Sequence, residues 1–146
     1  MAAKSDIINS GIAPIPKQAA MLMMEAGYFF MDLRRFDDAR DVFAGVAALL
    51  PKSEAPLIGL GILDSALGMH EKALQHYRKA AGLAPKSAIP RAYCGEALLF
   101  MGKATEAVKE LKTAVALEPG STGAAHAQAL IAAKEQGILP PPSLKK

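Results

Sequence analysis

Apolar residues recur along this chain in steps of three and four, the spacing that places side chains on one face of an α-helix. Leu57, Leu60 and Leu63 follow that spacing and predict a first helix. Gly68 then supplies a turn, and a second helical pattern runs on to Pro85, a residue type that ends helices. We therefore expect a hairpin of two helices in this part of the chain.

Several residue types repeat with a period of 34 residues, which indicates that the hairpin occurs three times. Each copy keeps a glycine in its first helix, an alanine and a large side chain in its second, and a proline after it. The matching positions are Gly27, Gly61 and Gly95; Ala39, Ala73 and Ala107; Phe43, Tyr77 and Leu111; and Pro51, Pro85 and Pro119. A single hairpin cannot bury its own apolar face, so the copies are expected to stack and share a core.

This pattern closely resembles the tetratricopeptide repeat, and the resemblance covers the units 20–53, 54–87 and 88–121. It implies an all-α fold, a right-handed α-solenoid of three helical hairpins. The stretch 122–137 carries a further helical pattern that ends at Gly137. Because a repeat array needs a terminal element to cover its last hairpin, we expect this stretch to be a capping helix.

The two ends of the chain lie outside the repeats. Residues 1–19 form an N-terminal segment that is expected to be partly ordered, with a short helix near residues 6–9. Residues 138–146 are rich in proline and lysine, a composition that predicts a disordered tail.

The run MLMMEAGYFFMDL at 21–33 is apolar on nearly all sides, and only Glu25 and Asp32 in it are charged. One apolar face should pack against the next helices, so the other is expected to bind something or to be covered. Methionine suits a binding surface because its side chain is flexible and polarisable. Three occupants stay open: an apolar peptide of another protein, a second copy of the chain in a homodimer, or the N-terminal segment.

The resemblance also implies which side chains would contact a peptide, since in the family the first helix of each hairpin lines a concave groove. The positions are Met21, Met24, Tyr28, Met31, Ile58, Ile62, Ser65, Ala92, Glu96, Leu99 and His126. Glu96 is expected in otherwise apolar surroundings, where it would pair with a cation or a backbone amide of the ligand. Its alternative partners lie within the fold, at Arg91 or Tyr93.

Some proteins of the family hold acidic C-termini in a clamp of lysines, asparagines and an arginine. The corresponding positions here are Met24, Tyr28, Gly59, Ile89 and Tyr93. A free carboxylate would find no charge partner among them, so this class of ligand is disfavoured.

Composition narrows the class of protein. The chain has 146 residues and a net charge of +3, with basic and acidic residues interspersed, which argues against nucleic acid as a partner. No apolar run reaches the roughly 20 residues that cross a bilayer, and the N-terminus lacks the apolar core of a secretory signal. The lone Cys94 cannot form an intramolecular disulfide, which fits a cytoplasmic protein.

No constellation of residues predicts catalysis. His70 and His76 point in different directions on one predicted helix, and His126 does not complete a metal-binding set with them. Cys94 is expected to be a buried, inert thiol. Since no phosphate loop, nucleophile triad or carboxylate pair is visible, we expect no enzyme activity, no cofactor and no metal site.

A second, narrower resemblance concerns function. The segments YFFMDLRRFDDARDVFAGV, LIGLGILDSALGMHEKALQHY and AYCGEALLFMGKATEA resemble the translocator chaperones of bacterial type III secretion. The resemblance implies a small chaperone that holds an extended apolar segment of a client protein in its groove. The alternative is a structural adaptor or self-assembling scaffold that joins folded proteins.

Overall fold

The computed structural model describes residues 7–9 and 14–139, with side chains from Ile15 onward. Within these residues the chain forms seven α-helices and one pair of short strands. The helices are α1 (Lys17–Asp32), α2 (Phe36–Leu49), α3 (Ala55–Ala66), α4 (His70–Leu83), α5 (Ala88–Phe100), α6 (Ala104–Leu117) and α7 (Thr122–Glu135). Helices α1 to α6 pack as three successive hairpins, and α7 packs against both helices of the last one. The predicted all-α solenoid is confirmed.

The repeating glycines let the two helices of each hairpin approach closely. A Cβ atom added at Gly27 would lie 2.8 Å from Cζ of Phe43, and one added at Gly61 would lie 2.8 Å from Cζ of Tyr77. The third hairpin repeats the arrangement with a leucine as the large side chain. The large residue of the second helix therefore fills the space that a side chain on the first helix would need, which explains why both positions recur.

The expected helix near residues 6–9 is wrong for the residues that the structure describes. Ile7–Asn9 is a strand (β1) that pairs antiparallel with Pro14–Pro16 (β2). The two isoleucines of β1 are β-branched, and the prolines of β2 cannot extend α1 backwards as regular helix, so extended backbone is favoured. Ile15 packs against the first hairpin and ties this strand pair to it.

The core is divided between the two halves of the solenoid. Most buried residues from α4 to α7 form one large cluster, which includes Tyr77, Leu98 and Leu111. Two smaller clusters lie in the first half, one around Phe43 and one around Val46. Of the predicted tail, the structure describes only residues 138 and 139, and the rest lies outside the described residues. Leu139 packs against the large cluster.

A buried carboxylate links three helices in the middle of the chain. Asp64 of α3 is 0% exposed. Nη2 of Arg40, on α2, donates to its Oδ1 at 2.8 Å, and Nδ1 of His76, on α4, lies 2.9 Å from its Oδ2. Because a buried carboxylate is costly unless it is paired, this network holds α2, α3 and α4 in one fixed arrangement.

Candidate functional site

A cavity of about 480 Å³ opens between α1, the end of α2 and the start of α3, and we call it the α1–α3 pocket. Its lining residues are Lys17, Ala20, Met21, Met24, Glu25, Tyr28, Val46, Leu50, Ser53, Ala55, Pro56 and Ile58. Only Lys17, Glu25, Ser53 and the hydroxyl of Tyr28 are polar. An apolar cavity of this size is typical of a site that receives ligand side chains.

The walls of the α1–α3 pocket are held by the first hairpin. Met24 is half-buried and packs against both small core clusters, so its position is fixed from two sides. The ring of Tyr28 meets that of Phe43 edge to face, with centroids 5.0 Å apart. Met21 lies one turn before Met24 and is 54% exposed, so water covers much of its apolar side chain in the free protein. The pocket is thus lined by side chains that are fixed by packing, with one flexible, exposed methionine at its edge.

Four of the predicted groove residues meet in this pocket: Met21, Met24, Tyr28 and Ile58. Three others lie elsewhere in the first and second hairpins. Met31 packs against the cluster around Phe43, Ile62 packs against the large core cluster, and Oγ of Ser65 is 3.4 Å from the hydroxyl of Tyr77.

Two of the predicted groove residues cannot contact a ligand. Ala92 and Leu99 are both 0% exposed. Their helix, α5, is packed by α4, α6 and α7, so positions that would face a groove in an outer hairpin are buried here. The prediction is wrong for this pair.

The sequence analysis missed several lining residues, including those that come from the end of α2. Val46 lies in the last turn of α2, Leu50 follows that helix directly, and Pro56 is the second residue of α3. A signal was present, because the residues that match Val46 in the other repeats are Ala80 and Ala114. Val46 is only 1% exposed, so the larger residue lines the buried inner side of the pocket.

A second hollow, of about 280 Å³, lies between α5 and α7 and is lined by Ile89, Tyr93, Thr122, Gly123 and His126. We call it the α5–α7 hollow. Tyr93 stacks on Tyr77 with centroids 5.1 Å apart, and its ring lies 5.2 Å from that of His126. Burial raises the pKa of both tyrosines, and the nearby Glu96 carboxylate raises them further. These hydroxyls therefore stay protonated at neutral pH.

Glu96 stands beside this hollow and has a partner that the sequence analysis did not name. Its Oε2 lies 2.7 Å from Nε2 of His126. Of the two alternatives considered, Arg91 instead bonds Glu110 at 3.2 Å, and Tyr93 is a near neighbour without a hydrogen bond to the carboxylate. The side chain of Glu96 remains partly open to solvent.

The outer side of α1 explains the rest of its apolar run. Leu22, Phe29 and Leu33 are 64%, 59% and 51% exposed, and their spacing places them on one stripe of the helix. We call it the outer stripe. It faces away from α2 and α3, so α1 carries a packing face, a pocket face and an uncovered apolar face.

Other chemistry is sparse in the described part of the chain. Residues 15–139 hold no group of three or more side chains that could bind a metal ion. Burial raises the pKa of the Cys94 thiol to about 12, so it is a protonated and poor nucleophile at neutral pH. None of the described helices combines the length and the apolar character needed to span a bilayer.

Comparison with known proteins matches this geometry. Residues 65–134 match the family model described as tetratricopeptide repeat. The match runs from the end of α3 to the last turn of α7. No curated protein matches the sequence of the chain. The helical-repeat fold makes the chain a protein-interaction module, because stacked hairpins present extended surfaces to partners.

Three solved structures share this tetratricopeptide-repeat fold. The type III secretion translocator chaperone SycD from Yersinia enterocolitica is 20% identical, with a TM-score of 0.73 over 82% of this chain and 92% of SycD. PcrH in complex with the chaperone binding region of PopB is 24% identical, with a TM-score of 0.69 over 80% and 97%. The first tetratricopeptide-repeat domain of Spaghetti (RPAP3), bound to the HSP90 peptide SRMEEVD, is 18% identical. Its TM-score is 0.70 over 85% of this chain and 96% of that domain.

Proposed function

We propose that this protein is a small cytoplasmic chaperone that holds an extended apolar segment of a client protein. The observation that carries the proposal is the α1–α3 pocket, an apolar cavity of about 480 Å³ between the first and second hairpins. The client class that we infer is a translocator of the type III secretion kind. The structures of PcrH with a region of PopB and of SycD with a peptide of the translocator YopD support that class.

The energetics of the pocket fit such a role. Met21, Met24, Tyr28 and Ile58 present apolar surface that a client side chain would cover. Burial of one large apolar side chain contributes roughly 1.5–3 kcal/mol, so a few of them offset the entropy lost on association. The result is binding of roughly micromolar strength without ATP chemistry. The client in turn keeps its apolar segment out of water and does not aggregate.

The test uses a neutral probe peptide of about twelve residues, long enough to span two hairpins in extended form. It is acetylated and amidated, carries two adjacent leucines near its start, and has only alanine, serine, threonine and glutamine elsewhere. Met21→Glu should weaken its binding by at least about tenfold, because an ionised group would enter the apolar pocket. Fluorescence anisotropy of the labelled peptide measures the change.

The matched control is Leu22→Glu, the same substitution one residue along, on the outer stripe rather than in the pocket. It should leave the affinity of the probe within about twofold, since exposed substitutions away from a site change little. Equal loss in both variants, or no binding of the probe to the unaltered protein, would contradict the proposal.

The outer stripe favours a second candidate function, a scaffold that assembles with itself or with a folded partner. Leu22, Phe29 and Leu33 are all more than half exposed and lie on one side of α1, where large exposed apolar residues mark a candidate interface. Analytical ultracentrifugation of the same two variants separates the candidates. A scaffold dissociates when Leu22→Glu is introduced and keeps its assembly in Met21→Glu.

A further inference from the structure

The α5–α7 hollow differs in chemistry from the α1–α3 pocket. The rings of Tyr93 and His126 line the hollow 5.2 Å apart, and the buried ring of Tyr77 stacks behind Tyr93. Glu96 adds a carboxylate beside these rings, bonded to His126 and partly open to solvent. Within residues 15–139, no lysine or arginine lies within salt-bridge distance of Glu96. This end of the protein is therefore aromatic and acidic without a resident cation of that kind.

We infer that the α5–α7 hollow selects clients that carry an arginine or lysine downstream of their apolar anchor. A guanidinium or ammonium group in the hollow would lie against the rings of Tyr93 and His126, and Glu96 would supply the opposite charge. Arginine fits better than lysine, because its planar group stacks on rings and bonds a carboxylate through two N–H groups. The inference rests on the proposed function and adds a rule for which client segments are accepted.

The client charge that we infer is opposite to that of peptides bound by some proteins with the same fold. The peptide bound to the first domain of Spaghetti, SRMEEVD, ends in two glutamates, a valine and an aspartate. An acidic segment of that kind would place carboxylates beside Glu96 in this chain, where like charges repel. The same carboxylate that attracts a basic client therefore excludes an acidic one, which is the repulsive element that specificity needs.

The distance between the two sites sets the expected spacing in the client. Neighbouring packed helices lie roughly 8–10 Å apart, so the path from the α1–α3 pocket to the α5–α7 hollow is about two such steps, or about 20 Å. An extended chain advances about 3.3 Å per residue. The basic residue is therefore expected about six residues from the apolar anchor.

The experiment compares three versions of the probe peptide that differ at one position, about six residues after the leucines. That position holds arginine, glutamine or glutamate, and companion sets place it one residue earlier and one later. For the unaltered protein in low salt, we expect arginine to bind about tenfold more tightly than glutamine, and glutamate to bind most weakly. Raising the salt concentration should reduce the spread, because part of the site is open to water.

Glu96→Gln removes the charge and keeps a group that can bond His126, so it should bind the arginine and glutamine peptides within about twofold of each other. The matched control Glu106→Gln makes the same change on α6, at an exposed position away from the hollow, and should keep the full preference. Circular dichroism checks that both variants fold.

Two failures are distinguishable. Equal binding of the three peptides by the unaltered protein, in every register, would overturn the basic-client rule and leave the apolar pocket standing. Absence of binding by all three would remove the proposed function together with the rule. If Glu96→Gln does not fold, the peptide comparison on the unaltered protein still decides the matter.

Discussion

Replacing Gly61 with valine should lower the free energy of unfolding by about 3 kcal/mol. The ring of Tyr77 occupies the space where the new side chain would lie, with Cζ only 2.8 Å from an added Cβ. That ring cannot move aside, because it is buried, stacks on Tyr93 and lies near the hydroxyl of Ser65. Since small proteins are stable by only about 5–15 kcal/mol, urea unfolding followed by circular dichroism should show a large shift of the midpoint.

Gly45→Ala is the matched control for the packing argument. Gly45 also lies inside a helix, but nothing stands within 4 Å of the place where its Cβ would be. Alanine there should stabilise the protein by about 0.5–1 kcal/mol, because glycine loses more backbone entropy when it enters a helix. A Gly61→Val variant as stable as the unaltered protein would show that the close approach of α3 and α4 is not needed.

Arg40→Met should cost about 3 kcal/mol of unfolding free energy, because it removes a partner from the fully buried Asp64. Methionine keeps an apolar stem of similar length, so the loss of charge rather than of packing is measured. His76 still contacts the carboxylate, which places the cost at the lower end of the range for a broken buried pair. Urea unfolding at neutral pH gives the value.

Two further variants make that experiment decisive. The double variant Arg40→Met with Asp64→Leu removes the buried charge as well, and should recover much of the lost stability. Arg35→Met breaks an exposed ion pair, Arg35 with Asp38 at 2.7 Å, and should cost less than about 1 kcal/mol. If the double variant is no more stable than Arg40→Met alone, the uncompensated charge is not the cause of the loss.

The repeat period predicted the architecture, because the residues that recur with that period are the ones that contact each other within each hairpin. Gly27 faces Phe43 and Gly61 faces Tyr77 across a hairpin, so the sequence spacing of these residues predicts which side chains pack together. Such contacts are local and recur at each repeat, so they can be predicted without knowing how distant parts of the chain pack.

The candidate site was predicted less completely, because it depends on contacts between repeats. Met21, Met24, Tyr28 and Ile58 do line the α1–α3 pocket, but Val46 and Leu50 join them from the end of α2. Ala92 and Leu99 failed as groove residues, because burial of α5 depends on α7, which lies outside the repeat unit. The Asp64 network was not predicted, because the positions that match Asp64 in the other repeats are Phe30 and Leu98, so the carboxylate is not part of the periodic pattern.

The methionines allow the most direct test of the claim that an apolar segment binds in the α1–α3 pocket. With the methyl groups of all seven methionines labelled with carbon-13, each gives a signal that reports its own surroundings. Met21 and Met24 line the pocket, whereas Met69 and Met101 line a separate hollow near the start of α4. When the arginine-containing probe peptide is added, we expect the signals of Met21 and Met24 to shift along one saturating curve while those of Met69 and Met101 stay in place. Saturating shifts at Met69 and Met101, with Met21 and Met24 unchanged, would contradict that claim.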